Sequence, residues 1–76
     1  MNIDEFIANF AELLDDTPAS EITASTAFHD LDEYSSLVSL TLIAMVDEEY
    51  GVTLSGNDIR NAITVEDLFN TVKSKA

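Results

Sequence analysis

The stretch 30-DLDEYSSLVSLTLIAMVDEEYG-51 sets two serines, Ser35 and Ser36, directly before a long apolar run. A hydroxyl there has two possible uses. It can accept hydrogen bonds from the free backbone N–H groups of the first helical turn, as an N-cap. It can also carry a covalently attached phosphate, which would lie against unpaired N–H groups and the positive end of the helix dipole. The second use needs no basic side chain, which matters because residues 1–58 contain no Lys or Arg. By local rules alone either serine can be the cap.

Other chemistry is poorly supported. His29 is the one histidine and no Cys is present, so nothing builds a zinc site or a thiolate nucleophile. Acidic runs such as 47-DEE-49 read as solvated helix faces, and no pair of carboxylates is singled out for acid–base work. The run 30-DLDEY-34 lacks the central Gly and the spaced Glu of a calcium loop. No glycine-rich phosphate loop occurs. The chain is expected not to be an enzyme.

Three strong amphipathic segments must position the serines. In 3-IDEFIANFAELLDD-16, Ile3, Phe6, Ile7, Phe10, Leu13 and Leu14 recur at helical spacing, with Asp4, Glu5, Asn9 and Glu12 on other faces. Asn2 is the expected N-cap, and Pro18 the expected stop. Residues 16–35 form a long connection pinned by Ile22, Phe28 and Leu31, with a helical turn expected over Thr23 to Phe28. A second helix runs from about Ser36 to Tyr50 and is stopped by Gly51; Leu42, Ile43, Val46 and Tyr50 are its buried face. Leu37, Val38, Leu40 and Ala44 give it more apolar surface than one face can use. Beyond it come an extended piece (Val52, Leu54), a turn at Ser55-Gly56-Asn57 and a brief helix around Asp58 to Asn61, with Ile59 and Ile63 inward. Thr64 with Asp67 resembles a capping box opening a last helix whose stripe is Val65, Leu68, Phe69 and Val72. Lys73 and Lys75 suit that helix's C-terminal end. The expected fold is all-α, a small four-helix bundle of three main helices and one short one with a long first loop, in a single domain over residues 1–76.

Composition bounds the function. A chain of 76 residues buries roughly 60% of its unfolded surface. Its 46% hydrophobic content nevertheless argues for a folded domain rather than a disordered acidic tail. Formal net charge is −12, from 15 acidic and 3 basic residues, with Arg60, Lys73 and Lys75 all near the C-terminus. Such a surface repels nucleic acid and anionic lipid and steers basic partners toward itself. The same acidity also serves solubility. Asp4 and Glu5 stand where a signal peptide would need positive charge, and no apolar run approaches membrane-spanning length. A soluble, cytoplasmic monomer without membrane insertion is the expectation.

With these residues in view, the chain resembles the acyl carrier proteins over essentially its whole length. The resemblance rests on Ser36-Leu37 opening an amphipathic helix that ends in 47-DEEYGV-52, on the preceding Asp30-Leu31, on Thr64-Val65, and on length and acidity. In that family the Ser of an Asp-Ser-Leu motif receives 4′-phosphopantetheine from coenzyme A, and the arm's thiol carries acyl groups as thioesters. Matching leftward from Leu37, or rightward through Leu42, Val46 and Tyr50, places the modified serine at Ser36. Ser35 stands where the family usually has Asp, and Val38 and Thr41 where fatty-acid carriers are commonly acidic.

The resemblance implies a free-standing carrier in a fatty acid, polyketide or related pathway, working with a phosphopantetheinyl transferase and with acyl-transferring and ketoacyl synthase-type enzymes whose docking surfaces are basic. Leu37, Val38, Leu40, Ala44 and Glu48 are the expected partner face. Leu42, Val46, Ile59 and Ile63 are the expected shelter for an acyl chain. The alternative is an unmodified acidic helical interaction module in which Ser36 is only a helix cap.

Overall fold

The computed structural model describes residues 2–76. It holds four α-helices and, among the described residues, no strand. They are α1 (Ile3–Ala11), α2 (Ser36–Tyr50), α3 (Gly56–Asn61) and α4 (Val65–Lys75). This is the expected small helical bundle of three main helices and one short one.

Helix α1 starts as its sequence dictates: Asn2 Oδ1 accepts from the N–H of Asp4 (2.7 Å) and of Glu5 (3.4 Å). It stops at Ala11, earlier than the apolar stripe suggests, and Leu13 and Leu14 continue as tighter turns onto the carbonyls of Phe10 and Ala11. The cause lies in the long loop. The carboxylate of Glu33 accepts from the N–H groups of Asp15, Asp16 and Thr17 and from Thr17 Oγ1. A chain engaged that way cannot also present those amides to a continuing helix. Leu14 still turns inward, so the stripe remains apolar to its end.

The loop is ordered by its own short structure. Two 3₁₀ turns occupy Ala19–Glu21 and Phe28–Asp30, and Thr26 N–H closes a turn onto Thr23 O (3.1 Å). The expected turn over Thr23 to Phe28 is therefore partly present, and the second 3₁₀ turn begins where it was expected to end. Ile22 and Phe28 are buried and Leu31 packs against the core. The carbonyls of Thr26 and Ala24 accept from Val65 and Glu66 N–H (3.1 and 3.0 Å), so the loop satisfies amides at the start of α4 that a free helix would leave to water.

The core is one aromatic-rich cluster. Phe6 packs on Tyr50 and Phe69, and Phe10 on Phe28, with ring centroids 5.7–5.9 Å apart. Leu42, Val46, Val65, Leu68 and Val72 are fully enclosed around them. Asn9, whose place off the α1 stripe suggests solvent, instead donates to the Tyr50 hydroxyl (3.0 Å) and ties α1 to the end of α2. Gly51 then ends α2 at φ 65°, a left-handed conformation open to glycine at little cost.

The segment after Gly51 is extended, with Val52 and Leu54 buried, as expected. Ser55 is not part of a free turn: it caps α3, which begins at Gly56, through a reciprocal box with Asp58. Thr64 and Asp67 make the same box at α4. Ile63 departs from expectation. It lies in the three-residue link between α3 and α4, where no helical face turns it inward, and it is 66% exposed.

Candidate functional site

The two serines at the head of α2 take different roles. Tyr34 anchors the end of the loop, its ring edge-on to Phe28 at 5.2 Å and its N–H bonded to Leu31 O. The chain then runs extended through Ser35 (φ −150°, ψ 176°), whose Oγ accepts from Val38 N–H at 3.3 Å. Ser35 O accepts the first helical bond, from Ser39 N–H at 3.0 Å. Ser35 is therefore the cap, and Ser36 is the first helical residue. Its side chain is exposed, and among the described residues its hydroxyl makes no hydrogen bond.

The surroundings of that hydroxyl are specific. The N–H groups of Ser36 and Leu37 are engaged neither by the cap nor by the loop, so they stay available at the positive end of α2. The first turn of α2 carries no acidic side chain. A cavity of about 310 Å³ begins at Ser36 and is lined by Ser39, Leu40, Ile43, Gly56 and Ile59, between α2 and the start of α3. An exposed hydroxyl, two free amides and an adjoining apolar cavity fit a phosphodiester-linked group bearing a flexible apolar cargo.

Among the described residues no side chain hydrogen-bonds the Ser36 hydroxyl to activate it. His29 is committed elsewhere: its Nε2 lies 3.0 Å from the carbonyl oxygens of both Ile59 and Ala62, the geometry of a ring N–H donating to the end of α3. The ring also packs on Phe28, with centroids 4.2 Å apart. It ties the long loop to α3.

Of the expected partner-face residues, Leu37 (72% exposed) and Leu40 (65%) stand out from α2, with Ala44 and Glu48 exposed one and two turns on. Val38 turns the other way and packs against the core. Of the expected acyl shelter, Ile59 lines the cavity, Leu42 and Val46 are sealed in the core, and Ile63 is on the surface. Sequence reasoning missed Ser39 and Gly56 as cavity residues and read Ile43 only as buried face. The helical spacing Ser36, Ser39/Leu40, Ile43 was the available signal.

A larger cavity of about 460 Å³, between α3 and α4, is lined by Asp58, Asn61, Ala62, Asp67, Asn70 and Thr71, away from Ser36. Its carboxylates are occupied. A hydrogen bond from Lys75 (N···O 2.7 Å), then the Ser55 N–H, lowers the Asp58 pKa from 3.8 to about 2. The N–H groups of Thr64 and Ile63 hold Asp67 below its ordinary value, against partial desolvation. Both acids serve as helix caps.

Among the described residues no helix is long and apolar enough to cross a membrane. The family model described as "Phosphopantetheine attachment site" matches residues 4–72. No match was found among curated proteins or among solved structures. With the family model covering nearly all of a chain that folds as a small helical bundle, the chain belongs to the phosphopantetheine-binding carrier family, whose members bind 4′-phosphopantetheine as a prosthetic group.

Proposed function

We propose that the chain is an acyl carrier protein whose 4′-phosphopantetheine is attached through Ser36 Oγ, and that it presents acyl intermediates to separate enzymes of a fatty acid, polyketide or related pathway. The observation that carries the assignment is the division of labour at the head of α2: Ser35 holds the helix, and Ser36 beside it is exposed and, among the described residues, makes no side-chain hydrogen bond. When bound, the prosthetic group supplies a thiol on which acyl groups travel as thioesters. The chain's own contribution is placement. The N–H groups of Ser36 and Leu37, without partners among the described residues, would hold the phosphodiester, which explains how an anion is tolerated in a segment without Lys or Arg. Leu40, Ile43 and Ile59 offer an apolar refuge for cargo next to the attachment point. No side chain among the described residues hydrogen-bonds the Ser36 hydroxyl, so the transferase brings the proton acceptor for the attachment step.

Leu37, Leu40, Ala44 and Glu48 form the face offered to partners: the phosphopantetheinyl transferase and acyl-transferring or ketoacyl synthase-type enzymes. Their basic docking surfaces would complement the net −12 charge. Such encounters are transient, salt-sensitive and cytoplasmic. The test is intact-protein mass spectrometry after incubation with coenzyme A and a broad-specificity transferase. One phosphopantetheine is expected on wild type and on Ser35→Ala, and none on Ser36→Ala. Loss only in Ser35→Ala would move the attachment to Ser35. No gain with that enzyme or a cognate transferase would leave an unmodified docking module.

A further inference from the structure

We infer that the hydroxyl pair Tyr34–Ser39 makes the cavity beside Ser36 selective for acyl groups bearing an oxygen close to the thioester, of the 3-hydroxyacyl or 3-oxoacyl class, over saturated chains. The inference rests on the reading of Ser36 as the attachment point. The cavity wall is otherwise apolar in its larger side chains, Leu40, Ile43 and Ile59, and Ser39, a hydroxyl-bearing residue, lines it among them one helical turn from Ser36. That hydroxyl behaves unlike three others on the helices. Thr41, Thr71 and Ser74 each donate to a carbonyl of their own helix, at 3.1, 3.0 and 2.8 Å. Ser39 Oγ instead bonds the Tyr34 hydroxyl. Tyr34 is held for this by its edge contacts with Phe28 at 5.2 Å and His29 at 5.4 Å.

Two hydroxyls sharing one hydrogen bond have two protons and spend one. A phenol is the better donor of the two, and with Tyr34 donating to Ser39 Oγ the Ser39 proton is the one left, on a residue that lines the cavity. A saturated chain entering the cavity covers that O–H and returns no hydrogen bond, which costs free energy. A chain with a 3-hydroxyl or 3-oxo oxygen accepts the proton and keeps the apolar contacts. The pair thus favours partly processed, oxygen-bearing cargo over fully reduced cargo.

The test loads the phosphopantetheinylated chain with octanoyl or 3-hydroxyoctanoyl groups and measures thioester hydrolysis, each rate divided by that of the same thioester on free pantetheine. Wild type should protect the 3-hydroxyoctanoyl thioester about fivefold more than the octanoyl one, the value of one ordinary hydrogen bond. Ser39→Ala should bring the two protections together, and Tyr34→Phe should shrink the difference by freeing Ser39 to bond its own helix. Melting curves of both variants show whether the fold is retained. Equal protection in wild type, or a preference that persists in Ser39→Ala, would overturn the inference. Failure of the underlying assignment shows earlier and separately, as absence of the phosphopantetheine mass on Ser36 before any acyl group is loaded.

Discussion

Ser35 and Ser36 are adjacent and chemically identical, yet a shift of one position separates a structural hydroxyl from a free one. Ser35 Oγ satisfies Val38 N–H, and among the described residues Ser36 Oγ has no partner. Their alanine variants should therefore differ in stability. Ser35→Ala should lose about 1 kcal/mol in urea unfolding, the ordinary cost of an N-cap, and Ser36→Ala should stay within about 0.5 kcal/mol of wild type. Equal losses would mean the two share the cap. The sequence placed both serines at the helix start but left the cap open, because the choice depends on where Tyr34 is anchored. That anchor is Phe28, six residues upstream and read only as a residue pinning the loop. Ser39 escaped notice for a related reason: its role comes from Tyr34 and from α3, and neither contact is written in the local pattern of α2.

At the scale of elements, the long loop is a brace. Glu33 clasps the end of α1, Thr26 and Ala24 clasp the start of α4, and His29 clasps the end of α3. Periodicity made the three main helices, the short one and the Thr64–Asp67 box legible, because amphipathic stripes and capping boxes are local. The brace was not legible, since its bonds join residues 16 or more apart in sequence. The same contacts explain the early end of α1. They also yield a prediction: Glu33→Gln keeps the shape of the side chain but weakens its acceptance of three backbone N–H groups. The variant should melt at a lower temperature than wild type, with slowed loss of amide hydrogens no longer seen at Asp15, Asp16 and Thr17. An unchanged melt and unchanged exchange would show the clasp to be incidental.

At the scale of the whole molecule, charge acts in two opposite directions. Desolvation raises the Glu33 pKa, but hydrogen bonds from Thr17 Oγ1 and from the Asp16, Asp15 and Thr17 N–H groups outweigh it and hold it below 4.5. Asp67 is likewise lowered, and Asp58 falls from 3.8 to about 2 beside Lys75. Groups with depressed folded pKa values stabilise the fold above their unfolded values and stop doing so as pH falls through the folded ones. Stability should accordingly decline as pH falls from about 4.5 toward 2, and Asp58→Asn should remove part of the decline. An Asp58→Asn variant with the wild-type pH profile would contradict this. The remaining acids repel one another, and the net charge of −12 disfavours the compact state. Sodium chloride or divalent cations should therefore raise the melting temperature at neutral pH. A melt indifferent to both would show the acids to be too dispersed to matter.

The measurement that tests the central claim most directly is backbone-fragmentation mass spectrometry of the wild-type chain after loading by a phosphopantetheinyl transferase. It needs no variant that disturbs the cap. The account predicts that fragments ending at Ser35 keep their unmodified mass and that fragments extended by Ser36 carry the full phosphopantetheine. An added mass already present on fragments ending at Ser35 would contradict it, and would make the capping hydroxyl rather than the free one the attachment point.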